Sequence, residues 1–442
     1  MVPGIGMNRN AGRIQGIRGM PDVDWREARL WEWLERKAAA VLAGYGYQEV
    51  RLPLVEMRDL FSRAVGAGTD IVAKEMYCFQ DRQGDWLALR PEGTAVLIRA
   101  GLQHDWFRHE QRFWYRGAMF RHERPQKGRY RQFHQIGAEV IGPQGPDVDA
   151  ELILLAGRLL QELGVGHLVR LKLNSLGNQA SRRAHREALL AYLRTQQLPP
   201  EALERAERNP LRLFDSKDEQ IRAVMAQAPR LQEYWDAESK EYFARLLDLL
   251  QSCGVGYDLA PTLVRGLDYY NLTVFEWVTD QLGAQDTVLA GGRYDALCAL
   301  LGGVPYPGAG FALGLERLLA LMQLAHVAQP PLQATVFIAS MGEQARAVAL
   351  GLGERLRTML PEEVVMVHTG EGSFKGQLRR AERYGAQVVL LLGDEEVARQ
   401  EVTIKSLHHQ GQQHRVPMSE LPNVLPRWLA AAADVDQVAL PC

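Results

Sequence analysis

The chain has 442 residues, 47% hydrophobic and 24% charged, an ordinary soluble composition with room for two or three domains. Lys and Arg number 51 against 53 Asp and Glu. That balance excludes a bulk field that draws nucleic acid, so any polyanion must meet a local patch. Cys78, Cys253, Cys298 and Cys442 form no CxxC pair, which argues against structural zinc and for a reducing cytosol. The first residues have no apolar stretch of signal-peptide length, and no apolar run approaches a membrane span. A cytoplasmic protein with no membrane partner is expected, its start at Met1 or Met7.

Residues 25–45 carry Leu30, Leu34, Ala38, Val41 and Leu42 at helical spacing. A strand over 47–52 stops at Pro53, which cannot donate to a ladder. "DWLALRPEGTAVLIRAGL" gives another short strand, then a helix that Thr94 is placed to cap. Residues 147–163 read as a helix with an acidic first turn, and 168–173 as a strand. The stretch 181–250 is charged and helical with no strand pattern, so 175–255 is expected to be a helical insertion. Strands return at 263–278 and in "DTVLAGGRYDALCALLGG"; "GAGFALGLERLLALM" runs from strand into helix. Pro330 and Pro331 mark a linker. Beyond it, strands 334–339, 364–367 and 388–392 alternate with helices 343–359 and 373–384, which predicts a small α/β domain over 331–442. The part before it, 1–330, predicts an α+β domain on an antiparallel sheet.

"MFRHERPQKGRYRQFHQIGAE" stands out. Arg121, Arg124, Lys127, Arg129 and Arg131 crowd a hairpin tip between two strands. Alternation places Arg131, Phe133, Gln135, Gly137 and Glu139 on one face and Ile136, Ala138 and Val140 on the other. Arg121 then lies beside Gln135 and Glu139. A solvated tip explains Arg124 and Lys127, but a carboxylate within an apolar strand needs a partner or a ligand. Arginine suits phosphate oxygens, which it grips with two prongs. These residues suggest a phosphate site on a sheet, with a basic loop free to touch a second polyanion.

"FRHERPQKGRYRQFHQIGAE" closely resembles motif 2 of the class II aminoacyl-tRNA synthetases, in the form found in the histidyl-tRNA synthetase family. "GYQEVRLPLVE" resembles motif 1 and "GFALGLERLL" motif 3. "LVRGLDYYNLTVFEW" and "AGGRYDALCALLGG" are similar to the two segments particular to that family, and "LALRPEGTA" to its amino-acid loop. "SFKGQLRRAERYGAQVVLLLGDEE" resembles its anticodon-binding domain. The resemblance implies a class II catalytic domain, a helical insertion and a C-terminal α/β domain. It implies activation of L-histidine by ATP with Mg2+, whose protein ligands stay unassigned, transfer to tRNA(His), and a homodimer.

Residue by residue, the resemblance puts Arg121 and Arg265 on the α-phosphate. Arg317 and Phe133 would cover the two adenine faces; Phe133 reads equally as a core aromatic, and Arg265 as an ion-pair partner of Asp268. Glu139 and Tyr270, with Tyr269 adjacent, would read the imidazole, and Glu92, Thr94 and Gln135 the α-ammonium. Tyr269 and Tyr270 also fit as plain strand aromatics. Arg124, Lys127 and Arg129 would meet the tRNA acceptor end. Two rivals are a regulatory relative of the catalytic domain and a nucleotide- or RNA-binding module.

Overall fold

The computed structural model describes residues 14–66, 68–126, 128–208, 210–216, 218–283, 287–327, 335–407 and 413–436. Lys127, Pro330, Pro331, Met1 and Met7 lie outside them. The chain divides into two units, Met1–Ala328 and Gln329–Cys442.

In the first unit the strands are β1 (Gln48–Glu49), β2 (Val55–Met57), β3 (Cys78–Gln80), β4 (Trp86–Leu89), β5 (Gln111–Phe120), β6 (Gln132–Ile141), β7 (Arg170–Ser175), β8 (Asp258–Leu259), β9 (Asn271–Val278), β10 (Thr287–Arg293) and β11 (Gly308–Gly314). Eight of them form one sheet in the order β1-β5-β6-β11-β10-β9-β7-β8. Its six central strands are antiparallel, as expected; the short edge strands β1 and β8 pair parallel to their neighbours. β2, β4 and β3 make a separate small sheet.

The period-2 pattern of β6 separates two environments. Ile136, Ala138 and Val140 pack with the helices Trp25–Gly44, Pro146–Glu162 and Leu315–Leu324 in one hydrophobic core. Leu34, Leu159 and Leu318 of those helices are 0% exposed, and each such burial is worth about 1.5–3 kcal/mol relative to exposure. Asp24 caps the first helix, accepting from the amides of Arg26 and Glu27 at 2.9 and 3.0 Å. The other face of β6 lies under the helix Thr94–Gln103 and the loop before β9, and holds the polar residues.

Four elements depart from the sequence reading. The strand expected over 47–52 shrinks to Gln48–Glu49. After Val50 donates to Trp114 O at 2.8 Å, the carbonyls of Leu52 and Pro53 turn to the buried guanidinium of Arg90, at 3.1 and 3.3 Å. Thr94 does not cap its helix. It is the first helical residue, and the carboxylate of Glu92 accepts from the amides of Thr94 and Ala95 at 2.7 and 2.9 Å. The strand expected from 263 begins only at Asn271, because Asn174 takes the carbonyl of Leu263 and Arg182 that of Tyr270. The helical stretch also divides. Gln179–Arg194, Pro200–Arg208 and Glu219–Ala226 contribute to a core of their own, whereas Ala237–Ser252 sends Phe243, Leu246 and Leu250 into the main core.

In the second unit β12 (Val336–Met341) lies parallel between β13 (Val365–Val367) and β14 (Val388–Gly393); β15 (Glu401–Ser406) and β16 (Gln413–Pro417) extend the sheet antiparallel. Helices Glu343–Met359 and Phe374–Arg383 alternate with the strands, close to their expected bounds. β15, β16 and the final helix Leu421–Asp436 were not anticipated.

Candidate active site

The polar face of β6 opens into a cavity of 290 Å³. Its walls come from elements far apart in sequence: the Glu92–Thr94 turn, the base and tip of the hairpin, the loop before β9, β10, and the start of the helix Leu315–Leu324. Arg121, Arg265, Arg317, Glu92, Thr94, Phe133, Gln135, Tyr269 and Tyr270 all line it, so nearly all of the expected site residues converge.

Glu139 is the buried anchor, 1% exposed. Thr94 Oγ1 donates to its Oε1 at 2.7 Å, the Tyr115 hydroxyl to the same oxygen at 3.1 Å, and the Tyr294 hydroxyl to Oε2 at 2.5 Å. Burial pushes its carboxyl up to about 8; hydrogen bonds from Tyr294 and Thr94 pull the other way, and the negative charge of Glu92 adds to the rise. Two glycines make room. A Cβ on Gly310, which pairs with Glu139, would sit 1.7 Å from its Oε2. A Cβ on Gly137 would meet the Tyr115 ring at 2.3 Å.

Glu92 is buried as well, and burial raises its carboxyl despite the amides of Ala95 and Thr94 and the charge of Arg121. The Tyr269 hydroxyl reaches it at 3.5 Å. Buried Gln135 Oε1 has no hydrogen-bond partner. An orphaned acceptor in the same cavity as the buried carboxylate of Glu92 suits a cationic ligand that donates several hydrogen bonds.

Two arginines face these acids. Arg121 Nε donates to Pro91 O at 2.9 Å, and its guanidinium lies over the Phe133 ring at 5.2 Å. Burial lowers its pKa, against the attraction of Glu75 and Glu92. Arg265 pairs with Glu276, not Asp268, and stacks over Tyr270 at 5.6 Å. Burial opposes its charge, but Glu276 and the two tyrosines outweigh that and leave its pKa raised. Arg265 Nε is buried without a partner. Arg317 donates to Gly128 O at 3.1 Å and Thr287 O at 2.6 Å.

The tip is less uniform than expected. Arg129 turns into the cavity wall and pairs with Glu123, whereas Arg124 is exposed and does not line it. Lys127 is outside the described residues.

Sequence reasoning overlooked Tyr115, Tyr294, Glu123 and Glu276. Tyr115 had a signal, since Gly137 within a strand marks a close approach of another side chain. Tyr294 stands inside the quoted "AGGRYDALCALLGG". Glu123 and Glu276 carried none beyond their charge.

The histidyl-tRNA synthetase family model matches residues 19–318, and an anticodon binding domain matches 335–428. This chain belongs to the histidyl-tRNA synthetase family. A curated histidine–tRNA ligase from Halorhodospira halophila (strain DSM 244 / SL1) is 52% identical over 410 residues, 92% of this chain and 96% of the relative. Among solved structures, the histidyl-tRNA synthetase of S. aureus aligns with TM-score 0.79 at 31% identity, over 93% of this chain and 99% of that one. One from Nostoc sp. PCC 7120 aligns with TM-score 0.66 at 19% identity, over 94% and 99%. An ATP phosphoribosyltransferase regulatory subunit/histidyl-tRNA synthetase from Bacillus halodurans C aligns with TM-score 0.62 at 20% identity, over 86% and 99%. The last two speak to the fold alone.

Proposed function

We propose that this cavity joins L-histidine to the 3′ end of tRNA(His) in two steps. A histidine carboxylate oxygen attacks the α-phosphorus of ATP, the bond to the β-phosphate oxygen breaks, and diphosphate leaves. A ribose hydroxyl of the tRNA then attacks the acyl carbon of the adenylate, its proton passes to the phosphate, the bond from the acyl carbon to the phosphate oxygen breaks, and AMP departs. The carboxylate is already a nucleophile, so the first step needs alignment and charge stabilisation more than a strong base.

The observation that carries this reading is one cavity lined by the buried carboxylate of Glu92 and the arginines Arg121 and Arg265, with the carboxyl of Glu139 buried directly behind Thr94 and Tyr115 of its wall. Glu139 takes the imidazole N–H and Tyr270 serves the other ring nitrogen, with Tyr269 beside it. Glu92, Thr94 and Gln135 take the α-ammonium, for which Gln135 supplies an unsatisfied acceptor. Arg121 and Arg265 bind the α-phosphate, and Phe133 and Arg317 hold the adenine. A pocket that hydrogen-bonds both ends of the ligand rejects apolar amino acids, which would leave its polar groups unpaired. Among the described residues no group of three or more His, Cys, Asp or Glu is placed to hold a metal. Glu316, at the cavity wall, is engaged by the amide and ring of His134. Magnesium would therefore arrive with ATP, held largely by its phosphates.

Arg124 and Arg129, with Lys127, meet the acceptor end of the tRNA, and the second unit grips its anticodon arm. Val55, Met57 and Phe79 share one face of the small sheet by register and are 39–48% exposed, an apolar surface that supports a homodimer. No helix among the described residues is long and apolar enough to cross a membrane; the scattered cysteines support the cytoplasm.

Histidine-dependent ATP–pyrophosphate exchange tests the reading. Exchange with histidine and none of the other standard amino acids is expected. A regulatory relative or a plain nucleotide-binding module gives no exchange at all, and that result overturns the assignment.

A further inference from the structure

None of the described residues of the helix Gln179–Arg194 lines the cavity. One of its side chains nevertheless holds the cavity's wall from behind. Arg182 Nη1 donates to Tyr270 O at 2.6 Å and to Asp268 O at 3.4 Å, and Nη2 reaches Asp268 O at 3.4 Å. These carbonyls flank Tyr269, and the same short loop carries Arg265. The guanidinium is half-buried beneath the loop, and burial lowers its pKa against the charge of Asp268.

The start of β9, directly after the loop, is not in a conformation it would adopt alone. Leu272, two residues past Tyr270, has φ 45°, a backbone region that non-glycine residues occupy only where their surroundings over-determine it. Two backbone hydrogen bonds do so: Leu272 N donates to Gly177 O at 2.9 Å, and Leu176 N to Leu272 O at 2.6 Å. Both partners lie in the turn that leads into the helix of Arg182. On the far side, Asp268 N donates to Val65 O at 3.2 Å. Remove Arg182 and the carbonyls of residues 268 and 270 lose a charge-assisted donor in a place poorly reached by water.

We infer that Arg182 is a positioning residue for the histidine pocket: from the helical insertion it fixes the backbone of residues 268–270, and through it the aim of the Tyr269 and Tyr270 hydroxyls. The inference rests on the reading of that cavity as a histidine site. It makes the insertion part of amino-acid selection without contact to the amino acid. The adenine side of the cavity, built on Phe133 and the start of the helix Leu315–Leu324, does not pass through Arg182, and Arg265, three residues before the first held carbonyl, keeps its own anchor in Glu276.

The test is equilibrium titration of the full-length chain with histidine alone and with ATP alone, by calorimetry. Arg182→Ala is expected to weaken histidine about 10-fold or more, the scale of a lost hydrogen bond from a charged group, and to leave ATP unchanged. Arg182→Lys, which keeps the charge but not the fork, restores part of the loss. Arg183→Ala, on the same helix and exposed, changes neither affinity. Equal losses for both ligands in Arg182→Ala, or no loss, overturn the inference. If Arg182→Ala does not fold, Arg182→Lys decides by the same split between the ligands. A wild-type chain that binds ATP and not histidine overturns the underlying reading of the cavity, a result distinct from any behaviour of the Arg182 variants.

Discussion

At the base of the β5–β6 hairpin, Glu139 is 1% exposed and receives three hydroxyls. At the tip of the same hairpin, Arg124 stands in solvent and Arg129 leans on Glu123. One β-ribbon thus holds ionisable groups in two regimes. A buried carboxylate costs several kcal/mol unless hydrogen bonds replace its water, so the base recruits partners from segments far apart in sequence. The tip keeps its water, and a cation there is worth little until a polyanion arrives. On the proposed function, the difference separates selectivity from affinity: the base would discriminate a small ligand, and the tip would attract a large one.

The largest expected effect comes from removing a base-side cation. Arg265→Ala should slow adenylate formation about 10²–10³-fold, the range for one preorganised donor at developing charge, measured in single-turnover exchange. A wild-type rate would show that the pair with Glu276 is all Arg265 does. Next comes Tyr294→Phe, which removes one of the three donors to Glu139. Histidine affinity should fall roughly 10-fold, with ATP affinity unchanged. If both fall together, Tyr294 supports the fold and not the pocket.

The tip should respond differently. Arg124→Ala should leave histidine-dependent exchange untouched and reduce the log–log salt slope of tRNA binding by about 1. A loss of exchange activity would erase the distinction between base and tip. The smallest effect is on stability. Folded and ligand-free, Glu139 keeps its proton to about pH 8, whereas its ordinary value is 4.5. The folded state therefore binds more protons between those values, and the contribution is full below the lower one and lost as pH rises through the upper. The melting temperature of the wild type should fall more between pH 6 and pH 9 than that of Glu139→Gln; equal slopes would mean that Glu139 is already ionised in the empty pocket.

The same contrast explains what could be read from the chain. Glu139 and Gln135 were legible because period-2 alternation set them apart from Ile136, Ala138 and Val140, and a carboxylate in such a strand demands a reason. Arg121, Arg265 and Arg317 were legible through the resemblance of their segments, not through spacing. Thr94 was placed in the pocket by resemblance while its local context pointed to a cap; Glu92, two residues upstream, takes the first helix amides instead, and the Thr94 hydroxyl goes to Glu139. The strands expected at 47–52 and 263–278 are shorter than read, at Gln48–Glu49 and Asn271–Val278, for one cause. Side chains distant in sequence, Arg90 in one case and Asn174 with Arg182 in the other, claim the carbonyls that a ladder would have used. The division of the helical insertion escaped notice because Phe243, Leu246 and Leu250 have the helical spacing of any amphipathic helix, and the sequence does not say which core they enter.

The claim that Glu139 is the selective element meets its most direct test in Glu139→Gln, titrated at equilibrium with histidine and with ATP. Glutamine keeps the size and an acceptor oxygen but cannot take on the charge that a bound imidazole N–H would draw out of Glu139. Histidine affinity is predicted to fall roughly 10- to 100-fold, with ATP affinity held within a factor of about two. Equal losses for both ligands, or full retention of histidine binding, would contradict the account.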